Sequence, residues 1–198
     1  MICMTYGRPR EFDIDRALEA ATQQFWAVGY EATSLQDLLK SMSLSKSSLY
    51  QTFGNKHELF IRCLEHYQQS MVDKLKEELE NSSSVKQFVS EFLEEVIAES
   101  NNRSGRKGCF LVNTANELSQ RDADIGRVVT DGTSNVAKVF QQAIELGITK
   151  KEISAKPPVE HLVGYLMTTI SGLRTMIKAG AEQNTLKPVV DLIIKSLF

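Results

Sequence analysis

With 198 residues, the chain is long enough to bury a substantial core, as one domain or as a small domain joined to a larger one. Its net charge of −2 excludes a generally basic nucleic-acid coat, so any DNA binding has to come from local geometry. Three widely spaced cysteines make no disulfide framework, the N-terminus carries no apolar core of signal-peptide length, and no stretch reaches the roughly 18 apolar residues that span a bilayer, so a cytoplasmic protein without membrane attachment is expected.

The chain opens on a short basic arm, Tyr6 to Arg10, in which Pro9 favours extended backbone. Arg8 and Arg10 suit phosphates or a minor groove, as homeodomain arms do; the alternative is a frayed terminus. From Asp13 to Val28, Ile14, Ala17, Leu18, Ala21, Phe25 and Val28 recur at helical spacing, and Gly29 closes the helix. Thr33 and Ser34 offer a cap for a second helix, Leu35 to Lys40, and Ser41 to Ser43 form a turn.

The third helix lies within Leu44 to Lys56. Ser45 caps it, Leu44 can staple onto Leu49, and Gly54 stops it. Leu49 and Phe53 share an inward face, while Ser47, Ser48, Tyr50 and Gln51 point away with Lys46 alongside. An ordinary solvated face carries Glu and Lys. Hydroxyls, an amide, a phenol and a lysine are instead the groups that bond phosphates and base edges in a major groove. Three helices with a tight turn before the last make a helix-turn-helix domain, and its capped N-termini suit phosphates. Against this, the first 56 residues are charge-balanced: six cations, Arg8 to Lys56, face six carboxylates, Glu11 to Asp37.

Several motifs match a known family in order and spacing. The run Gly7 to Arg10, Ala20 with Phe25, Gly29 to Thr33, Leu35 with Leu38, and Leu44 to Tyr50 followed by Phe53, Lys56, Leu59 and Phe60 together closely resemble the N-terminal domain of TetR-family transcriptional regulators. The resemblance covers about the first sixty residues. It implies an all-α homodimer: a helix-turn-helix DNA-binding domain, 1–55, followed by a helical effector-binding and dimerisation domain, 56–198. It also implies phosphate contacts from Thr33, Ser45, Tyr50 and Lys56, with Ser34 beside them, and places Lys46, Ser47, Ser48, Gln51 and Thr52 in or beside the groove. Two residues depart from the family pattern. Ser43 stands where glycine is common, at a cost on the order of 1 kcal/mol if its φ is positive, so a slightly different turn is expected. Thr52 replaces a frequent histidine, which leaves the base preference open.

A long amphipathic helix runs from Lys56 to about Leu79, and Val85 to Glu99 follows after the loop Asn81 to Ser84. In the next helix, Cys109 to Ser119, an apolar stripe runs beside Cys109, Asn113 and Glu117 at i,i+4 spacing. Turned inward, that stripe lends a small-molecule pocket a thiol, an amide and a carboxylate; turned outward, Asn113 and Glu117 face water. The Gly108 to Asn113 run resembles one branch of the family and implies that this helix borders the effector cavity, to which Phe92, Phe110 and Tyr165 are assigned as well. Cys109 follows Arg106 and Lys107 at a helix start, a setting that favours a thiolate and makes it a candidate redox or electrophile sensor; the alternative is a small buried packing residue. Cys63 and His66 share a helix face, but no further ligand nearby completes a metal site, and no cofactor is expected.

Ala123 to Gly147 reads as another long helix, with a break expected near Asp131 because of Gly126 and Gly132. The last two helices, Val159 to Ala179 and Leu186 to Phe198, carry the oligomer argument. Gly164, Thr168 and Gly172 leave a small-residue stripe for close helix approach, and the final helix is apolar almost all round, with Val190, Ile193, Ile194 and Leu197 assigned to a dimer interface. One larger monomeric core is the alternative. Functionally, the resemblance implies a repressor that reads a pseudo-palindromic DNA operator as a homodimer and is released by a small-molecule effector. The competing classes are a helical enzyme with Cys109 as nucleophile, for which none of His57, His66 and His161 lies in a catalytic motif, and an architectural DNA binder without effector.

Overall fold

The computed structural model describes residues 12–101 and 106–198, and among them every regular element is helical. In order these are α1 (Ile14–Val28), α2 (Leu35–Met42), α3 (Lys46–Phe53), α4 (Lys56–Asn81), α5 (Val85–Ala98), α6 (Phe110–Leu118), α7 (Ala123–Thr149), α8 (Val159–Lys178) and α9 (Gln183–Leu197), with a 3₁₀ turn at Glu99–Asn101. None of these helices is long and apolar enough to cross a membrane. The chain divides into two compact units, 1–63 and 64–198. The division falls inside α4 and not at the 55/56 junction, because Leu59, Phe60 and Cys63 are part of the first unit's core.

Local chemistry sets the first unit's helix ends. Asp13 Oδ1 accepts the N–H groups of Asp15 and Arg16 at 3.0 and 3.1 Å, starting α1, and Gly29 ends it at φ 92°. Phe25 meets Phe60 edge to face at 4.8 Å between centroids, with Leu38, Leu49 and Phe53 buried around them. Ser43 adopts the left-handed conformation, φ 54° and ψ 40°, so the turn before α3 has the geometry glycine would favour and serine carries the cost. Cys63 is fully buried with its Sγ 3.9 Å from the Leu18 carbonyl, and burial pushes its thiol up to about 12. It is therefore a packing residue and not a nucleophile.

In the second unit α5 is amphipathic, burying Val85, Phe88, Val89, Phe92, Leu93, Val96 and Ile97 on one side against α7, α8 and α9. The break expected near Asp131 does not occur. Helix α7 is continuous, and its glycines serve packing: a Cβ on Gly132 would lie 3.1 Å from the Leu111 methyls, and one on Gly126 3.0 Å from the Ser119 carbonyl oxygen. Close approach of α6 explains the glycines better than helix termination does.

Candidate functional site

The first unit presents α3 with one side buried and one side open. Leu49 and Phe53 are buried; Lys46, Ser47, Tyr50 and Gln51 are exposed, and Ser48 and Thr52 are half-buried. Because Tyr50 and Gln51 follow Lys46 and Ser47 by four residues each, these four side chains form one continuous patch. The Lys46 ammonium sits 5.9 Å from the Tyr50 ring centroid, which gathers a cation and a phenol at the same spot. Ser45 Oγ accepts the Ser48 N–H at 3.1 Å, and the two hydroxyls lie 2.9 Å apart, so both serines help to build the helix start.

Residues outside α3 hold it in place. Arg62 donates from Nη1 to the Thr52 carbonyl at 3.0 Å, pinning the last turn of α3 to α4. Asn55 and Glu58 form a reciprocal cap for α4, with Glu58 N–H donating to Asn55 Oδ1 at 3.0 Å and Asn55 N–H to Glu58 Oε2 at 3.3 Å. Lys56 Nζ lies 4.4 Å from the Tyr30 ring centroid, which fixes its ammonium at the start of α4. The role of Arg62 has no local sequence signal, because the bond spans ten residues.

One expectation in this unit needs correction. Thr33 is buried, and its hydroxyl donates to the Gly29 carbonyl at 2.6 Å, so its side chain is a closing bond for the α1–α2 corner and has no outward face for a phosphate. Ser34 does cap α2, accepting the Asp37 N–H at 3.2 Å, but the Asp37 carboxylate returns to both its N–H and hydroxyl, at 3.0 and 2.6 Å. Those hydrogen bonds from Ser34 hold the Asp37 carboxyl below the usual carboxylate range, which leaves a negative charge at this helix start. Only the first N–H groups of α2, at Leu35 and Gln36, keep the unbonded geometry that suits an anion. Arg8 and Arg10 lie outside the described residues.

In the second unit a narrow cavity of about 40 Å³ lies among α4, α5, α6, α7 and α8. Met71, Phe92, Phe140, Met167 and Ile170 wall it; Cys109, Thr133, Ser171 and Arg174 add the polar groups. Phe92 and Cys109 are thus at the cavity as expected. The other four residues assigned there are elsewhere. Phe110 is buried against Tyr67, edge to face at 5.7 Å, and Asn113 Nδ2 donates to the Lys107 carbonyl at 2.7 Å, closing the turn before α6. Glu117 is half-buried away from the cavity lining, and Tyr165 is 41% exposed with its hydroxyl accepting from Ser196 Oγ at 3.0 Å.

Cys109 is the N-cap residue of α6, its Sγ making no cap bond and receiving instead the Tyr67 hydroxyl at 3.8 Å. Burial, with Cys109 beside it, pushes the Tyr67 hydroxyl well above the usual tyrosine range, so it remains a neutral donor to the sulfur. Of the two cations expected to favour a thiolate, Arg106 turns its Nε to the Ser100 carbonyl at 3.0 Å. The buried cation lining the same cavity as Cys109 is Arg174.

The outer face of α8 and α9 divides the residues assigned to dimerisation. Gly164, Thr168 and Gly172 are exposed, and a Cβ on either glycine would meet nothing within 4 Å. Val190, Ile193 and Leu197, by contrast, are buried in the chain's own core, and Ile194 is half-buried, so the first three cannot face a partner. The exposed large apolar groups on these two helices are Tyr165, Met176, Val189 and Leu192, the last 65% exposed.

Comparison with known proteins assigns the chain to a family. Residues 17–63 match the model for bacterial regulatory proteins of the tetR family, ending where the first compact unit ends, and residues 86–192 match the tetracyclin repressor-like C-terminal domain. The chain belongs to the TetR family. This TetR-family protein is 28% identical over 192 residues to the uncharacterized HTH-type transcriptional regulator YezE of Bacillus subtilis, covering 96% of this chain and 99% of that one. It is also 28% identical over 190 residues to the HTH-type transcriptional repressor ComR of Escherichia coli, covering 96% and 90% respectively. Among solved structures, a cysteine-substituted form of the TetR family regulator CifR in complex with 26 bp of double-strand operator DNA superimposes with a TM-score of 0.84 at 28% identity, covering 97% of this chain and all of that one. Like its relatives, this TetR-family chain is a DNA-binding transcriptional regulator and not an enzyme.

Proposed function

We propose that this TetR-family regulator is a cytoplasmic repressor that binds a pseudo-palindromic operator as a homodimer and is released when a small molecule enters the second unit's cavity or modifies Cys109. The observation that carries the reading is the open face of α3, where Lys46, Ser47, Tyr50 and Gln51 form a patch suited to phosphates and base edges. The likeness to the repressor ComR supports the direction of control, and the likeness to CifR, solved in complex with operator DNA, supports operator binding.

The dimer reading rests on the exposed small-residue stripe of α8 beside Met176, Val189 and Leu192, an apolar face that a second copy's α8 and α9 would cover as a four-helix interface. Two-fold symmetry then sets two α3 helices into major grooves about one turn, 34 Å, or a somewhat larger helical spacing apart. Signal transfer has a continuous carrier. Helix α4 starts beside α3 at Lys56 and supplies Met71 to the cavity wall, so a ligand that prefers one position of α4 shifts the spacing of the readers.

Operator release tests the effector part. A preformed operator complex is challenged with a metabolite panel and, separately, with N-ethylmaleimide, alongside Cys109→Ser. Release of the native complex by the thiol reagent, with Cys109→Ser retained on DNA, assigns sensing to the thiol; release of both forms by a metabolite assigns it to the cavity. A complex that survives both challenges contradicts the effector reading and leaves a constitutive DNA binder.

A further inference from the structure

Arg174 is hard to explain as packing. It is 8% exposed, it is the one charged side chain lining the cavity, and it stands among Met71, Phe92, Phe140 and Met167. A buried guanidinium is costly unless paired, and ion pairs that serve only to tie elements together are commonly no better than apolar side chains of the same size. Its partner is Glu99, in the 3₁₀ turn after α5, and the pairing is one-sided. Nη1 alone reaches the carboxylate, at 3.1 Å to Oε1 and 3.2 Å to Oε2. A guanidinium offers a planar fork whose full use takes two nitrogens against two oxygens. Among the described residues, Nη2 and Nε of Arg174 donate to nothing. One turn before it on α8, Ser171 adds a hydroxyl to the same lining.

We propose that the cavity recognises a small carboxylic acid with an apolar body, its carboxylate held by Nη2 and Nε of Arg174 and its body lying between the Phe92, Phe140 and Met167 side chains. This rests on the cavity being the effector site, and it narrows the effector to a chemical class. Glu99 is then a built-in competitor. Its carboxylate occupies part of the guanidinium, and a ligand carboxylate completes the fork or takes Glu99's place. Because Glu99 ends α5 and Arg174 lies on α8, a ligand that alters this pair acts on the tie between those helices.

The test is isothermal titration of the full chain with butanoate, hexanoate, octanoate, benzoate and phenylacetate, each against its matched primary amide. At least one carboxylate is expected to bind about tenfold or more tighter than its amide, the scale of one charge-assisted hydrogen bond. Glu99→Gln is expected to tighten that carboxylate's binding, because the competitor loses its charge. Arg174→Met is expected to abolish it. Should Arg174→Met fail to fold with Glu99 left unpaired, the double variant Glu99→Gln with Arg174→Met, neutral at both positions, takes its place. Equal binding of acid and amide, or carboxylate affinity retained without Arg174, overturns the assignment and leaves the cavity standing as an effector site for neutral molecules. Binding of neither series overturns the carboxylate assignment as well, while the operator-release challenge decides separately whether the cavity has an effector.

Discussion

Gly172→Arg is expected to leave the chain folded but monomeric, and to weaken operator binding by about 10²- to 10⁴-fold. Within one chain the substitution has room, because nothing lies within 4 Å of a Cβ at Gly172. It also replaces a helical glycine by a good helix former, a local gain on the order of 1 kcal/mol. In the proposed four-helix interface the same side chain would crowd the partner chain and carry a charge into an apolar contact. Losing the dimer turns one two-handed binding event into two weak ones, which is where the affinity goes. Sedimentation gives the mass, circular dichroism the helix content, and fluorescence anisotropy the operator affinity. Leu192→Glu tests the same face from α9, where that leucine is 65% exposed. If both variants remain dimers with native affinity, this face is not the interface.

The second large effect is expected on α3. Gln51→Ala should cost about 1–3 kcal/mol per half-site for a lost base-edge contact, about 2–6 kcal/mol for a symmetric dimer, and relax sequence preference at one base pair in each half-site. Lys46→Ala should behave differently: binding weakens on all sequences alike, and the slope of log affinity against log salt falls by about two for the dimer. Both side chains are exposed, with the core contacts of the helix made by Leu49 and Phe53, so the melting temperature should stay where it is. Paired titrations at several salt concentrations, on operator and on scrambled DNA, separate the two roles. Equal losses on both DNAs for Gln51→Ala would remove it from base reading.

How well each part could be read from sequence follows from how local its signal is. Helix α3 was legible because Ser45, Leu49, Phe53 and Gly54 each act within one or two turns, and the structure begins and ends the helix at those markers. Gly126 and Gly132 misled because their role is tertiary: they admit Ser119 and Leu111, which no count along α7 can reveal. The final helix shows the limit of periodicity. With apolar residues on nearly every side of α9, the pattern demands two covers but does not say which side faces home, and Val190, Ile193 and Leu197 turned out to be the inner one. Thr33 looked like a phosphate contact by family position, yet a threonine four residues after a glycine that ends a helix can bond back to its carbonyl, and here it does.

The burial of Arg174 is masked in the sequence for a physical reason as well. A long cation reads as surface, although its spacing four residues after Ile170 and three before Ile177 puts it on the buried stripe of α8. A charge in register with an apolar stripe is a signal worth reading in its own right. The same spacing would have removed Tyr165 from the cavity, since it sits one residue before Leu166 and one after Gly164, toward the exposed side.

Helix α3 is proposed to read DNA in a two-fold dimer. Selection from a random pool of DNA fragments at moderate salt, followed by sequencing, tests it most directly, because salt at that level suppresses non-specific binding while base contacts persist. An inverted repeat whose half-sites lie about one helical turn or somewhat more apart is expected to be enriched, with Gln51→Ala degrading the preference at matched positions in both halves. Enrichment of nothing by folded, dimeric protein, or of a single half-site without a repeat, would contradict it.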